Sequence, residues 1–439
     1  MFFTLECRSN FAATGFLQIS RRMSLLHKSH ALELLEGGQQ YFPVLIRAID
    51  AATLWVQLET YIFDLHGAGG ELAQALINAA QRGLKVQVLV DGIGTQLLTA
   101  EWQRKMKDAG VQWCVYSPLG AGFWGFAGLG LLMPDRWRRL HRKLCVVDER
   151  TVFCGGINVL DDFYDPNHGE LEAPRFDFAV AVTGPLALEA SEAMALLWWR
   201  VQAGYSARQN HLSAAWDKFK AAGYGAHTVA ARLSSKAAAV SSDPPPLPGA
   251  KAALVLRDNL RNRRSIELVY RKAIGKAHHD ILIANAYFVP GSKLRRALIN
   301  ASRRGVKVTL LLQGKYEYFM QYHAARPVYG ALLKAGVEIH EYEASFLHAK
   351  VAVIDGHWAT VGSSNLDPLS LLLAREANVV IEDKVFADKL RTSLCTAISH
   401  HGHRLDPVAY SQRALRQRVF DHIAYALMRV GVFIAGQRY

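Results

Sequence analysis

Two stretches of the sequence carry the same chemically useful residues at the same spacing. Each has a histidine, a lysine two residues later, an aspartate five residues after the lysine, and an asparagine 17 residues after the histidine. The first copy comprises His141, Lys143, Asp148 and Asn158, and the second comprises His348, Lys350, Asp355 and Asn365. One such pattern arises easily by chance, whereas two matched copies indicate one repeated function.

The spacing of histidine and lysine predicts that they act together. Residues i and i+2 of a strand project from the same face, so an imidazole and an ammonium group stand side by side. If the two copies meet, one small volume holds two imidazoles, two cations and two amides. That set suits a phosphodiester. Cations and amides hold its oxygens, one histidine attacks phosphorus and the other donates a proton.

Short strands must position these groups. The apolar runs LCVV and VAVI, which follow the two lysines, predict strands, and the pair Asp355-Gly356 predicts a hairpin turn. A second short strand follows in each copy. It ends at Gly155-Gly156 or at Gly362-Ser363, small residues that allow a ligand to approach the backbone.

The duplication extends beyond the motif. ALINAAQRGLKVQVLVDG, at 75–92, matches ALINASRRGVKVTLLLQG, at 297–314. Strands that alternate with helices predict an α/β fold, here two duplicated lobes, each a mixed sheet flanked by helices, with one shared site at their interface. We predict lobes at 35–233 and 251–400. An N-terminal extension at 1–34, a Ser/Ala/Pro-rich linker at 234–250 and a C-terminal tail at 401–439 complete the chain.

Two segments have an apolar character that the duplication does not explain. Ser117–Pro134 contains no charged residue, and it fits either a loop that dips into lipid or a buried structural loop. The tail repeats apolar residues at helical spacing beside several arginines, namely Leu415, Val419, Ile423, Leu427 and Val430. Such a helix fits a membrane surface or packing against the body.

The composition limits the partners. The chain of 439 residues has a net charge of +13, which favours nucleic acid, an anionic membrane face or a phosphate-bearing substrate. Five cysteines without a C-x-x-C pair indicate a reducing compartment and no disulfide framework. No cluster of metal-ligand spacing is evident, so we expect no metal and no other cofactor.

The duplicated motif resembles the signature of the phospholipase D superfamily. The segments LETYIFD, AAQRGLKVQVLVDG, IANAYFVPG and HWATVGSSNLDPLSL are similar to bacterial cardiolipin synthases of type B, which lack N-terminal membrane spans. The likeness covers roughly Leu35 to Ile398. One departure is Arg375, because relatives often carry asparagine just before the acidic residue that follows this block.

The resemblance implies a role for each motif residue. His141 and His348 are expected to be nucleophile and general acid/base, with His141 as the nucleophile by analogy. Lys143, Lys350, Asn158 and Asn365 would hold the phosphate oxygens. Asp148 and Asp355 complete the motif and are expected to support the hairpins. Asp177 and Glu376 stand in the positions of the acids that orient the histidines, because a histidine that attacks or donates needs a fixed tautomer.

The resemblance implies a cardiolipin synthase that joins two phosphatidylglycerol molecules through a phosphatidyl-histidine and releases glycerol. The alternatives are a phospholipase D hydrolase, a transferase that uses another alcohol, and, less favoured, a nuclease or a lipid-binding scaffold without catalysis. We expect phosphatidylglycerol and anionic membrane lipid as partners and no nucleic acid. We also expect peripheral attachment to the cytoplasmic side of the bacterial inner membrane.

Overall fold

A computed structural model describes residues 26–95, 98–117, 138–166, 168–208, 249–258, 262–316, 319–367 and 374–434. The strands are β1 His27–Glu36, β2 Trp55–Thr60, β3 Lys85–Asp91, β4 Gln112–Tyr116, β5 Arg139–Leu140, β6 Leu144–Val147, β7 Thr151–Gly155, β8 Tyr164–Asp165, β9 Gly169–Glu170, β10 Phe178–Thr183, β11 Ala250–Arg257, β12 Asp280–Asn285, β13 Lys307–Gln313, β14 Glu338–Tyr342, β15 Lys350–Ile354, β16 Trp358–Gly362, β17 Ala374–Glu382 and β18 Gly402–Arg404. The helices are α1 Gly37–Asp50, α2 Ala68–Gln81, α3 Ala100–Asp108, α4 Pro185–Arg208, α5 Ser265–Lys276, α6 Ser292–Arg303, α7 Phe319–Leu333, α8 Lys384–His401, α9 Pro407–Ser411 and α10 Leu415–Ile434.

The two halves repeat one strand order. In the first half, the order is β4-β3-β2-β6-β7-β10-β1, and in the second it is β14-β13-β12-β15-β16-β17-β11. In both, the first three strands are parallel and the remaining neighbours are antiparallel. Strands β1 and β11 pair with each other and join the halves into one continuous sheet. The predicted duplicated α/β fold with mixed sheets is confirmed.

The apolar residues form three main layers. A central layer combines inner-face residues of both sheets, such as Val146 and Val351, with residues of α4 and α8. One outer layer lies under α1 and α2, and the other lies under α5, α6 and α7. Both halves therefore share the central core, and the two halves of the sheet pack face to face across it. This arrangement brings the two motif copies together.

The structure extends the predicted lobes at their edges. Strand β1 crosses the predicted boundary at residues 34 and 35, β11 begins in the last predicted linker residue, and β18 lies in the predicted tail. Strand β18 pairs with β14 and is part of the second half's sheet. Residues 118–134 of the uncharged segment, and the linker up to residue 248, lie outside the described residues.

The tail helix α10 packs against α7, but not through the apolar stripe seen in the sequence. Its buried positions are Asp421, Ala424 and Met428, whereas Leu415 and Ile423 are exposed. Asp421 bonds to the His323 ring at 2.8 Å and to the Arg413 guanidinium at 3.0 Å, which fixes the rotation of the helix. Across the described residues, no helix is both long and apolar enough to cross a membrane.

Candidate active site

Tight hairpins bring each histidine–lysine pair to one end of a sheet. Asp148 and Glu149 have φ of 52° and 57°, and Asp355 and Gly356 have φ of 51° and 64°, as a two-residue turn of a twisted hairpin requires. The Asp148 carboxylate accepts backbone N–H bonds from residues 53 to 55, and that of Asp355 accepts them from residues 278 to 280.

The two motif aspartates belong to the same repeated pattern as the histidines and lysines. The structure does not bring them into the site. Each lies five residues along the chain from its lysine, roughly 16–17 Å away at about 3.3 Å per residue. Their carboxylates are occupied by the backbone that leads into β2 or β12. Their position fits support of the hairpin rather than contact with a substrate.

Each histidine is bonded to an acid from the other half of the molecule. The His141 Nδ1 atom lies 3.0 and 3.1 Å from the two carboxylate oxygens of Glu376, and the His348 Nδ1 atom lies 2.6 Å from Asp177 Oδ2. Both acids are buried. With Nδ1–H donated to a carboxylate, the Nε2 atom of each ring is the one available for chemistry. The site is therefore complete only when both halves are present.

Backbone pairing across the halves holds this exchange in place. The N–H of His141 donates to the carbonyl of Arg375 at 3.0 Å, and the N–H of His348 donates to the carbonyl of Phe176 at 2.9 Å. Strand β5, just before His141, pairs in parallel with the start of β17. Each histidine is thus fixed next to the residue that precedes its orienting acid.

The cations and amides lie at the same end of the sheets. Lys143 Nζ donates to the His141 carbonyl at 2.9 Å, and Lys350 Nζ donates to the His348 carbonyl. Both lysines are buried, as are Asn158 and Asn365. Asn158 Oδ1 accepts the N–H of Ile62 at 3.3 Å, which leaves its amide N–H₂ to donate elsewhere.

Burial and crowded cations set the electrostatics. Burial lowers the pKa of His141 against the opposing effect of Glu376, and burial together with Lys350 and Lys143 lowers the pKa of His348 well below its usual value. Burial also lowers the pKa of Lys143 to about 7 and raises that of Asp177 to about 7. Both shifts favour the neutral form of the two histidines at pH 7. A bound phosphodiester anion stabilises cationic forms and raises these histidine and lysine pKa values.

The sequence of this chain matches known proteins over most of its length. Residues 45–169 and 270–396 both match the family model described as "Cardiolipin synthase, PLD-like domain". The chain is 34% identical over 414 residues to cardiolipin synthase B of Escherichia coli (strain K12), which covers 92% of this chain and 88% of that protein. It is 35% identical over 411 residues to cardiolipin synthase B of Salmonella typhi, with the same coverage.

The chain belongs to the phospholipase D-like cardiolipin synthase family. The resemblance stated from the sequence and the expectation of a phospholipase D-type phosphatidyltransferase are confirmed at this level. Among solved structures, phosphatidylserine synthase of Haemophilus influenzae Rd KW20 aligns over 97% of this chain and 99% of its own, with a TM-score of 0.63. At 14% sequence identity, that likeness shows the shared fold alone.

In this cardiolipin synthase family member, sequence reasoning missed two contacts around the site. The Tyr61 ring lies 5.0 Å from the His141 ring and 5.5 Å from Lys143 Nζ. Ser363 Oγ donates to Glu376 at 2.5 Å. Tyr61 immediately follows β2, the neighbour of the strand that begins after Lys143, and this position was the available signal.

The two halves differ beside the histidines. Arg142, between His141 and Lys143, forms a buried ion pair with Glu59, with the closest nitrogen–oxygen distance at 2.7 Å. In the second half, Ala349 and Ala284 occupy the corresponding positions. Among the described residues, no cluster of histidine, cysteine and acidic side chains is arranged to hold a metal ion.

Proposed function

We propose that the protein makes cardiolipin from two phosphatidylglycerol molecules. The observation that carries this proposal is the reciprocal pairing of His141 with Glu376 and of His348 with Asp177. Two oriented imidazoles, each held by the opposite half, face one volume together with buried lysines and amides. Cardiolipin synthase relatives that cover most of the chain support the choice of product.

In the first proposed step, the Nε2 atom of His141 attacks the phosphorus of phosphatidylglycerol. The bond from phosphorus to the glycerol oxygen breaks, and His348, protonated when the anionic substrate binds, gives its proton to that oxygen. Glycerol leaves and a phosphatidyl-histidine remains. Lys143, Lys350 and the asparagine amides stabilise the charge on the non-bridging oxygens as it develops.

In the second proposed step, a hydroxyl of another phosphatidylglycerol loses its proton to His348 and attacks the same phosphorus. The bond from phosphorus to His141 breaks, cardiolipin is released, and both histidines return to their starting forms. A hydrolase would use water in this step. Exclusion of water, rather than the set of side chains, distinguishes the two outcomes.

The proposed substrates place the protein at the bacterial inner membrane. The net charge of +13 favours anionic lipid, and a site for phosphodiesters must reach the headgroup level. The cysteines of the described residues are free and most are buried, which fits the predicted reducing, cytoplasmic side. Release of the protein from isolated membranes by alkaline carbonate is expected for peripheral attachment, and retention would contradict it.

Product analysis tests the proposed reaction. Detergent-dispersed phosphatidylglycerol, supplied as the sole lipid, should yield cardiolipin and one glycerol per cardiolipin, measured by mass spectrometry and an enzymatic glycerol assay. His348→Ala should remove the product, whereas His357→Ala, in an exposed hairpin turn, should keep it. Phosphatidic acid without cardiolipin would instead assign a hydrolase. Product only after a phosphatidylethanolamine addition would assign another acceptor.

A further inference from the structure

Helix α10 carries a concentration of exposed apolar side chains. Thirteen large apolar residues are exposed in the described part of the chain, and six of them lie on this helix. Five form the stripe that recurs at intervals of three or four residues and faces away from α7, namely Leu415, Val419, Ile423, Leu427 and Val430. Exposed apolar residues scattered singly are ordinary, whereas a continuous stripe indicates a surface that contacts something apolar.

The stripe is exposed because polar contacts turn the opposite side of the helix inward. At 3.6 residues per turn, Asp421, Ala424 and Met428 share one side, roughly opposite the stripe. The Asp421 carboxylate binds the His323 ring and the Arg413 guanidinium, so a rotation of the helix would break both contacts. The exposed stripe is therefore a consequence of how the helix is docked.

The charges on the helix favour an anionic partner. Arg416, Arg418 and Arg429 are exposed, and Arg418 and Arg429 follow one edge of the stripe together with His422. Asp421, the acidic residue of this helix, is buried and paired. Two copies of the chain packed through their stripes would bring arginines against arginines. A bilayer that contains anionic lipid offers an apolar phase and the opposite charge.

Helix α10 contacts α7 near the end of the sheet that holds the site. The Tyr410 hydroxyl, before α10, bonds to the carbonyl of Arg326, and Asp421, further along, bonds to His323. The Phe420 ring also packs against His323, so this part of α10 lies beside the start of α7. Helix α7 starts after β13, whose last residue, Gln313, accepts the N–H of Leu347, the neighbour of His348.

We propose that the outward stripe of α10 is the surface through which the protein docks onto an anionic bilayer. The helix lies in the plane of the headgroups, with its apolar side chains among the acyl chains and its arginines among the phosphates. The site end of the sheet is then held close to the lipid that it uses. This inference rests on the proposed phospholipid substrate for its purpose, although the binding that it describes is measurable without turnover.

Vesicle sedimentation with matched variants tests the proposal. Val419→Asp/Ile423→Asp should bind vesicles of equal phosphatidylglycerol and phosphatidylcholine about tenfold or more weakly than the unsubstituted protein, because charges cannot enter the acyl region. Val385→Asp/Leu268→Asp adds the same charge at exposed apolar positions on other helices and should bind as the unsubstituted protein does. Both variants should keep their activity on detergent-dispersed short-chain phosphatidylglycerol.

A second pair of substitutions tests the electrostatic part. Arg418→Gln/Arg429→Gln should weaken binding to these vesicles at low salt, because it removes the attraction between the arginines and the anionic headgroups that salt would otherwise screen. Binding to pure phosphatidylcholine, which carries no net charge, should stay unchanged. Binding by the stripe variant equal to that of its control would overturn the proposal. A fall in particle mass on substitution of the stripe, measured by light scattering, would also overturn it and would assign the stripe to self-association. If the unsubstituted protein makes no cardiolipin but the stripe variant still loses vesicle binding, the proposed function fails while the docking surface stands.

Discussion

Replacing Lys143 with methionine should stabilise the protein while it abolishes phosphatidyl transfer. Burial lowers the pKa of this lysine from 10.5 to about 7, so folding penalises the charged form by roughly 4 kcal/mol at pH 7. Methionine removes that penalty but leaves the His141 carbonyl without its 2.9 Å bond, at a cost of about 1–3 kcal/mol. The expected net gain is about 1–3 kcal/mol.

Urea denaturation measures the effect, with Lys272→Met, at an exposed helix position, as a control that should stay within about 0.5 kcal/mol. The same pKa shift also determines how the stability of the protein should change with pH. Between pH 7 and 10.5, unfolded Lys143 binds a proton that the folded state releases, so the protein should gain stability as the pH rises through this window. Lys143→Met should lose that slope. A variant clearly less stable than the unsubstituted protein at pH 7, or one with the same pH slope, would refute the reasoning.

Three further predictions concern activity and stability. His141→Ala and His348→Ala should each retain less than about a hundredth of the turnover, because nucleophile and acid act as a unit, and the double variant should be hardly worse in the product assay. Glu59→Gln should destabilise the fold by about 3–5 kcal/mol in urea denaturation, since it leaves buried Arg142 without its carboxylate. Glu59→Leu/Arg142→Met, which approaches the apolar pair of the second half, should cost far less, and equal losses would contradict this. Activity should survive EDTA, because the lysines and amides already supply the charge that a metal would bring. A divalent requirement that salt and detergent cannot replace would contradict it.

The duplicated motif allowed the fold class and the position of the site to be predicted. Matched copies of histidine, lysine and asparagine require two similar strand hairpins, and the Asp355-Gly356 turn is found as its sequence indicates. The spacing of residues within each copy carries this information. The spacing is informative because the side chains of a strand alternate strictly between two faces.

The exchange of acids between the halves could not be predicted in the same way. The pairing of His141 with Glu376 spans 235 residues and that of His348 with Asp177 spans 171, and no local pattern encodes which half supplies which partner. It depends on the central core that packs the two sheets face to face. Strands β1 and β11, which join the halves, were likewise missed.

For the tail, the helix could be predicted from the sequence but its orientation could not. The helical spacing of its apolar residues correctly indicated an amphipathic helix. That spacing fitted an apolar stripe packed against the body as well as one left on the surface. The contacts of Asp421 with His323 and Arg413 decide the orientation. Those contacts join residues up to 98 positions apart, so periodicity alone could not reveal that the stripe stays outside.

The central claim is a two-step transfer through a histidine of one half, assisted by the histidine of the other. The most direct measurement is a rapid acid-free quench of the protein with short-chain phosphatidylglycerol, followed by peptide mass spectrometry. The account predicts a phosphatidyl group on His141 that disappears when excess acceptor lipid is added. The His141→Ala variant should carry no such group. An adduct on His348 would reverse the two roles. Cardiolipin formed at full rate with no adduct on either histidine would contradict the account.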